Sequence, residues 1–152
     1  MITELQIAHL WQLMAQFYGN RWVSSYGERD ISNVWFKVLK DCTPEMLAHG
    51  LKACLNDYQS WPPTLGEFNA LCHGLPARNA AIKLAIDGSY TSNAFILAMR
   101  KNIGSWNLHN KTYRELEGLA QSAYDSVQHN FLNHAKQKQQ LQHDQQQTKR
   151  IN

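Results

Sequence analysis

Ser60-Trp61-Pro62-Pro63-Thr64-Leu65-Gly66-Glu67-Phe68 is the stretch on which the fold turns. Pro62 and Pro63 fix φ at about −65° and remove two backbone donors, so no ladder can run through them. Trp61 precedes a proline and is held extended. Thr64 and Glu67 stand three apart, the capping-box spacing that opens a helix. The stretch is a rigid lead-in to a helix over about 65–73, with Leu65, Phe68, Leu71 and Cys72 inward and Gly74 and Pro76 as its stop.

The same grammar recurs on both sides. Upstream, Ile7, Leu10, Met14 and Phe17 form one face of a helix over about 4–18, ended by Gly19-Asn20. Residues to Arg29 are aromatic (Trp22, Tyr26) but aperiodic and read as a loop or short turn. Asp30 suits the N-cap of a helix over about 31–41 with Val34, Trp35, Val38 and Leu39 on one side. Thr43-Pro44-Glu45 gives a cap, a proline at the first helical position and an acid in the first turn of a helix to about Asp57, with Leu47, Leu51, Cys54 and Leu55 inward. Downstream, residues about 77–86 and 92–102 are helical, the latter with Phe95, Ile96 and Met99 on a stripe. Asp87-Gly88-Ser89 and Gly104-Ser105-Trp106 break the pattern. Thr112-Tyr113-Arg114-Glu115 is a second capping box and opens a long helix whose apolar positions are Leu116, Leu119, Ala123, Val127 and Phe131. No strand-like alternation and no hairpin signal appears. The expected architecture is all-α: a small bundle of six to seven helices with a long C-terminal helix and a polar tail. Three segments follow: residues 1–75, 76–132, and a Gln-rich basic tail at 133–152 that extends the last helix or frays.

Composition narrows the function. The 152 residues are 43% hydrophobic and 18% charged, enough for a real core. There is no apolar run long enough to span a bilayer and no basic-then-apolar leader, so a cytoplasmic protein without membrane contact is expected. Net charge is +3. The tail alone carries Lys136, Lys138, Lys149 and Arg150 against Asp144, so residues 1–132 are neutral overall. Any attraction for phosphate is therefore concentrated in the tail.

Catalytic patterns are missing. The glycines form neither a Walker-type nor a dinucleotide-binding string. No zinc-protease or nucleophile-elbow motif occurs. Cys42, Cys54 and Cys72 lack zinc spacing and read as reduced thiols. Glu115 and Glu117, two apart, point in different directions on a helix and make a poor acid/base pair. The expectation is no catalytic residue, no metal and no cofactor. Of the tryptophans, Trp35 and Trp61 sit where core packing is the default, whereas Trp22 and Trp106 fall in connections and suit either interface anchors or lids over the core.

A family resemblance adds to this. Leu10, Tyr18-Gly19, Trp22, Trp35-Phe36-Lys37-Val38-Leu39, Met46, Gly50-Leu51, Trp61 to Phe68 and Leu71-Cys72 resemble the N-terminal helical module of the phage replication protein P family of helicase loaders. Asn102-Ile103-Gly104-Ser105-Trp106, Leu108, Lys111-Thr112, Glu115-Leu116 and Ala123-Tyr124 are similar to the second module of those proteins. The two blocks span about residues 10–125. The resemblance implies a non-enzymatic phage or prophage replication protein. Such a protein binds the host's replicative hexameric helicase, loads or inhibits it, and meets a phage initiator protein at an origin. The contact would be helix-in-groove docking of an exposed apolar patch, with Trp106, Leu108, Tyr113 and Tyr124 as partner-binding candidates. Lys136 and Lys138 are the nucleic-acid candidates, for single-stranded DNA or an acidic partner face. Trp35, Trp61, Pro62, Pro63 and Phe68 are assigned to the integrity of the fold. Helicase contact in that family often lies toward the C-terminus, which here is a Gln-rich helix end.

Two other classes stay open. One is a DNA-binding regulator, with the helices at 31–41 and 44–57 as a helix-turn-helix, although the second would expose only Lys52 as a base. The other is a small enzyme with an unrecognised site.

Overall fold

The computed structural model describes residues 1–88 and 90–151, so Ser89 of the break after Asp87 and the final Asn152 of the tail lie outside the described residues. Within them all the regular secondary structure is helical, with nine helices and no strand. The chain divides into two compact units, Met1–Ala77 and Arg78–Asn152.

The first unit holds α1 (Glu4–Tyr18), α2 (Asn20–Tyr26), α3 (Val34–Leu39), α4 (Pro44–Asp57) and α5 (Leu65–Cys72). α1 opens on a full capping box between Thr3 and Gln6. It buries Ile7, Leu10, Trp11, Met14 and Tyr18, while Phe17 of the expected stripe stays 45% exposed. The stripe steps by four at its end, so Tyr18 and not Phe17 faces inward. α2 stands where a loop was expected. Gly19, at φ 59°, reverses the chain between the two helices. Trp22 and Tyr26, four apart, then share the inward face. Trp11, Trp22 and Trp35 meet edge to face, with ring centroids 5.0–5.4 Å apart. Trp11 Nε1 donates to Gly27 O at 3.0 Å, and Tyr26 Oη donates to Pro63 O at 2.9 Å. Trp35 reaches Phe68 at 5.8 Å. The aromatic cluster thus ties α1, α2 and α3 to the Pro-Pro lead-in and to α5.

α3 is shorter than expected. Asp30 is not its N-cap; Asn33 holds that place in the left-handed region at φ 54°. The Asp30 carboxylate instead accepts from Phe36 N at 3.0 Å, across the turn. α4 is capped by Thr43 with Pro44 inside its start, and α5 by Thr64, whose hydroxyl accepts from Glu67 N. α4 and α5 approach closely at Gly50, where an added Cβ would lie 2.4 Å from Cys72 Sγ. Pro63, Phe68 and Trp35 are buried as expected, but Trp61 is 65% exposed. Its ring lies outside the core, so the fold-integrity role expected for it is corrected.

The second unit holds α6 (Arg78–Asp87), α7 (Ala94–Ile103), α8 (Ser105–Asn110) and α9 (Tyr113–Ile151). Its core is Ala81, Ile82, Ala85, Phe95, Ile96, Met99, Ile103, Leu116, Ala120, Ala123, Tyr124 and Val127. The alanines let α6, α7 and α9 draw together. α7 is capped by the Asn93 side chain, which accepts from Phe95 N and Ile96 N. α9 opens on the Thr112/Glu115 box. It runs 39 residues, about 58 Å at ~1.5 Å per residue.

Candidate functional site

α8 is built by polar side chains rather than by apolar periodicity. Gly104, at φ 91°, closes α7 through its N–H to Arg100 O and starts α8 without a side-chain cap. Asn107 Nδ2 then donates to Ile103 O at 2.7 Å, and Asn110 Nδ2 to Trp106 O at 2.9 Å. His109 Nδ1 lies 2.7 Å from Ser105 O. The bond to Ile103 O takes up one of the last four carbonyls of α7, and the other two back-bond within α8 itself. The result is a short, braced helix that carries Trp106 outward.

Trp106 is 66% exposed, with Lys111 Nζ 5.6 Å from its ring centroid. Tyr113, the first residue of α9, is 52% exposed, and Leu108 is half-buried. Between them Thr112 and Glu115 close the second box. Thr112 N and its hydroxyl donate to Glu115 Oε2 at 2.9 and 3.1 Å. The Thr112 backbone donor, then its hydroxyl, hold the Glu115 carboxyl below the usual carboxylate range. Exposed Leu97 on α7 and Leu119 on α9 add apolar area to the same unit. The exposed groups of this stretch are a large ring with a cation over it and a carboxylate fixed at the start of α9.

Tyr124 does not belong to that surface. It is 1% exposed and packs on Phe95 at 5.2 Å, with the Arg78 guanidinium 5.3 Å over its ring. Arg78 is in turn paired with Asp125. The residue falls on the bundle face of α9 with Ala120, Ala123 and Val127, so its role is packing.

Lys136 and Lys138 are exposed on the distal part of α9, and every residue from 140 to 151 is exposed. The tail is therefore a continuous helix that projects past the bundle. Lys136, Lys138, Lys149 and Arg150 take part in no ion pair among the described residues.

Three features of the first unit escaped the periodicity. Trp61 projects with the Arg21 guanidinium 5.3 Å over its ring, and Arg21 donates to Ser60 O. A cavity of about 450 Å³ is lined by Trp11, Ile7 and Phe36 together with the charged Glu28, Arg29 and Asp30. Cys42, Cys54 and Cys72 are all buried free thiols. A hydrogen bond from Cys72, and a further one from His73, pull the Cys42 thiol down to about 5. The same bond to Cys42, with burial, pushes Cys72 far up. Burial raises Cys54 to about 11, and Tyr18 Oη sits 3.1 Å from its sulfur while donating to Tyr58 O at 2.6 Å. No local sequence signal pairs residues 30 apart, such as Cys42 and Cys72.

The helix-turn-helix alternative gains little from the geometry. The exposed face of α4 presents Glu45, His49 and Lys52, a single fixed cation beside an acid. Among the described residues, no group of three or more His, Cys, Asp or Glu is placed to hold a metal ion. No described helix is long and apolar enough to cross a membrane. The chain matches no family model, no curated protein and no solved structure.

Proposed function

We propose that this protein is a replication-associated docking factor of the phage replication protein P type, which binds the replicative hexameric helicase of its host and loads or inhibits it without chemistry of its own. The observation that carries the reading is Trp106: a large ring, 66% exposed, on a helix braced at both ends. Such a ring seated in a partner pocket is the kind of residue that dominates interface energy. Lys111 above the ring keeps the exposed indole solvated when free and pairs with an acid when bound. Tyr113 and the half-buried Leu108 extend the contact. Binding energy that favours one state of the ring shifts its opening equilibrium with no hydrolysis by this chain. The resemblance of residues 10–72 and 102–125 to that family names the helicase as partner, and a phage initiator as the second.

The test is to mix the purified chain with the host helicase and measure the mass of the complex by size-exclusion chromatography with light scattering. A stable complex is expected. Trp106→Ala, whose side chain supports no core, should keep its helical circular dichroism and bind at least about thirtyfold more weakly, an anchor loss of ~2 kcal/mol. A folded chain that forms no complex at micromolar concentration would overturn the reading. Unwinding assays on the complex separate loading from inhibition.

A further inference from the structure

Every residue of α9 from 140 to 151 is exposed, yet the polar residues of this distal part are not scattered evenly. At about 100° per residue, Lys138 and Lys149 fall on one row, and Lys136, His143 and Arg150 on another, with the rows about 130° apart on their nearer side. Between the rows lie Gln139, Gln142 and Gln146, three positions of one stripe. The one tail acid, Asp144, falls on the opposite face, with Leu141 and Ile151. The tail's hydrogen bonds avoid the glutamine stripe, and among the cation rows they involve only His143, which also lies 3.8 Å from Asp144. On the back, Gln140 Nε2 donates to Asp144 Oδ1 at 3.1 Å, and Thr148 Oγ1 donates to Asp144 O at 2.9 Å. Gln147 Nε2 lies 3.5 Å from His143 Nε2. Gln139, Gln142 and Gln146 hold no side-chain hydrogen bond among the described residues.

We infer that this end of α9 is a binding element for duplex DNA that lies in the major groove. A groove about 12 Å wide admits one helix and flanks it with phosphates on both sides. Cation rows on both flanks of a glutamine stripe match that arrangement. A single strand offers one phosphate line and would use one row. The glutamine amides can meet adenine N6 and N7 as a donor and acceptor pair. Duplex RNA is excluded by its deep, narrow major groove. This assigns Lys136 and Lys138 to a duplex in place of the single strand expected from the sequence, and it does not depend on the helicase contact.

The experiment is fluorescence anisotropy of the full chain with a labelled 20-base-pair A·T-rich DNA duplex, its single strand, and the matching RNA duplex. Four phosphate contacts give a slope of log affinity on log salt of about −3.6, so duplex binding should fall roughly 150-fold between 50 and 200 mM salt. Lys138→Gln with Lys149→Gln, and Lys136→Gln with Arg150→Gln, should each halve that slope. Gln139→Ala with Gln142→Ala and Gln146→Ala should erase the preference for A·T over G·C duplex and leave the slope unchanged. All three variants alter exposed or half-exposed positions beyond the bundle, and circular dichroism verifies that each is folded. Equal or tighter binding of the single strand or the RNA overturns the assignment. So does no duplex binding at 50 mM salt, or loss confined to one cation row.

Discussion

At the scale of single residues, the tightest constraint is the contact between Gly50 and Cys72. A methyl group at position 50 would meet Cys72 Sγ at 2.4 Å and Cys72 Cα and N at 3.1 Å. Replacing a mid-helix glycine by alanine gains up to about 1 kcal/mol of backbone entropy. Overpacking against a fixed neighbour costs about 1–3 kcal/mol. The backbone atoms cannot yield as a side chain does, so Gly50→Ala should lower stability in urea titration. Adding Cys72→Ala should restore only part, because the contacts to Cα and N remain. A more stable Gly50→Ala would show that α4 and α5 are not this close. The paired thiols give a pH signature of their own. Cys42 is held down to about 5, below its ordinary value of 9.0, so its contribution is complete above pH 9 and is lost as pH falls toward 5. Cys72 is raised and stays protonated when folded; it opposes this slope only near pH 9, where its unfolded thiol ionises, and it is present in both proteins compared below. The wild type should therefore lose stability between pH 9 and pH 5 relative to Cys42→Ser, measured by denaturant midpoints at each pH. Parallel curves for the two proteins would sink the pairing.

At the scale of elements, caps were far more legible than faces. Thr43-Pro44, Thr64/Glu67 and Thr112/Glu115 are local in sequence, and the bonds form between the residues that the spacing names. α2 and α8, at seven and six residues, are too short for an apolar period to declare itself. α2 was hidden because its inward residues are only Trp22 and Tyr26. α8 was hidden because its helix is closed by Asn107, His109 and Asn110 rather than by an apolar face. Of the site, Trp106 and Tyr113 were legible as aromatics next to breaks. Tyr124 was not, since its burial depends on Phe95 and Arg78, both distant in sequence. The cap of α9 can be tested alone. Thr112→Ala removes the hydroxyl that accepts from Glu115 N and should cost about 0.5–2 kcal/mol. Amide exchange should quicken in the first turn of α9, next to Tyr113, while the amides around Ala120 and Tyr124 keep their order of protection. Unchanged exchange at the first turn would mean that the box contributes nothing.

At the scale of the whole molecule, the division into two units separates two kinds of core. The first is built on three mutually packed tryptophans with Tyr18, Phe68, Met14 and Leu39. The second relies on four alanines among its buried residues and on Phe95, Ile96, Met99 and Tyr124. The sequence hinted at this through composition, tryptophan-rich before residue 75 and alanine-rich after it, and the boundary lies at Ala77 and Arg78. Which residues close each core was less legible, because that depends on helix pairings no local pattern encodes. Burying alanine removes far less apolar area than burying tryptophan, at ~25 cal/mol per Å². The second unit should therefore unfold first. Trp11, Trp22 and Trp35 are buried in the first unit, and the single tryptophan of the second, Trp106, is exposed already. Tryptophan emission thus reports the first unit almost alone, whereas far-ultraviolet circular dichroism reports both, weighted by the 39 residues of α9. In urea, the dichroism should begin to fall before the emission shifts, and Trp106→Ala should leave that order intact. Coincident transitions by the two probes would mean one cooperative unit, and the separate cores would then have to share stability that neither provides alone.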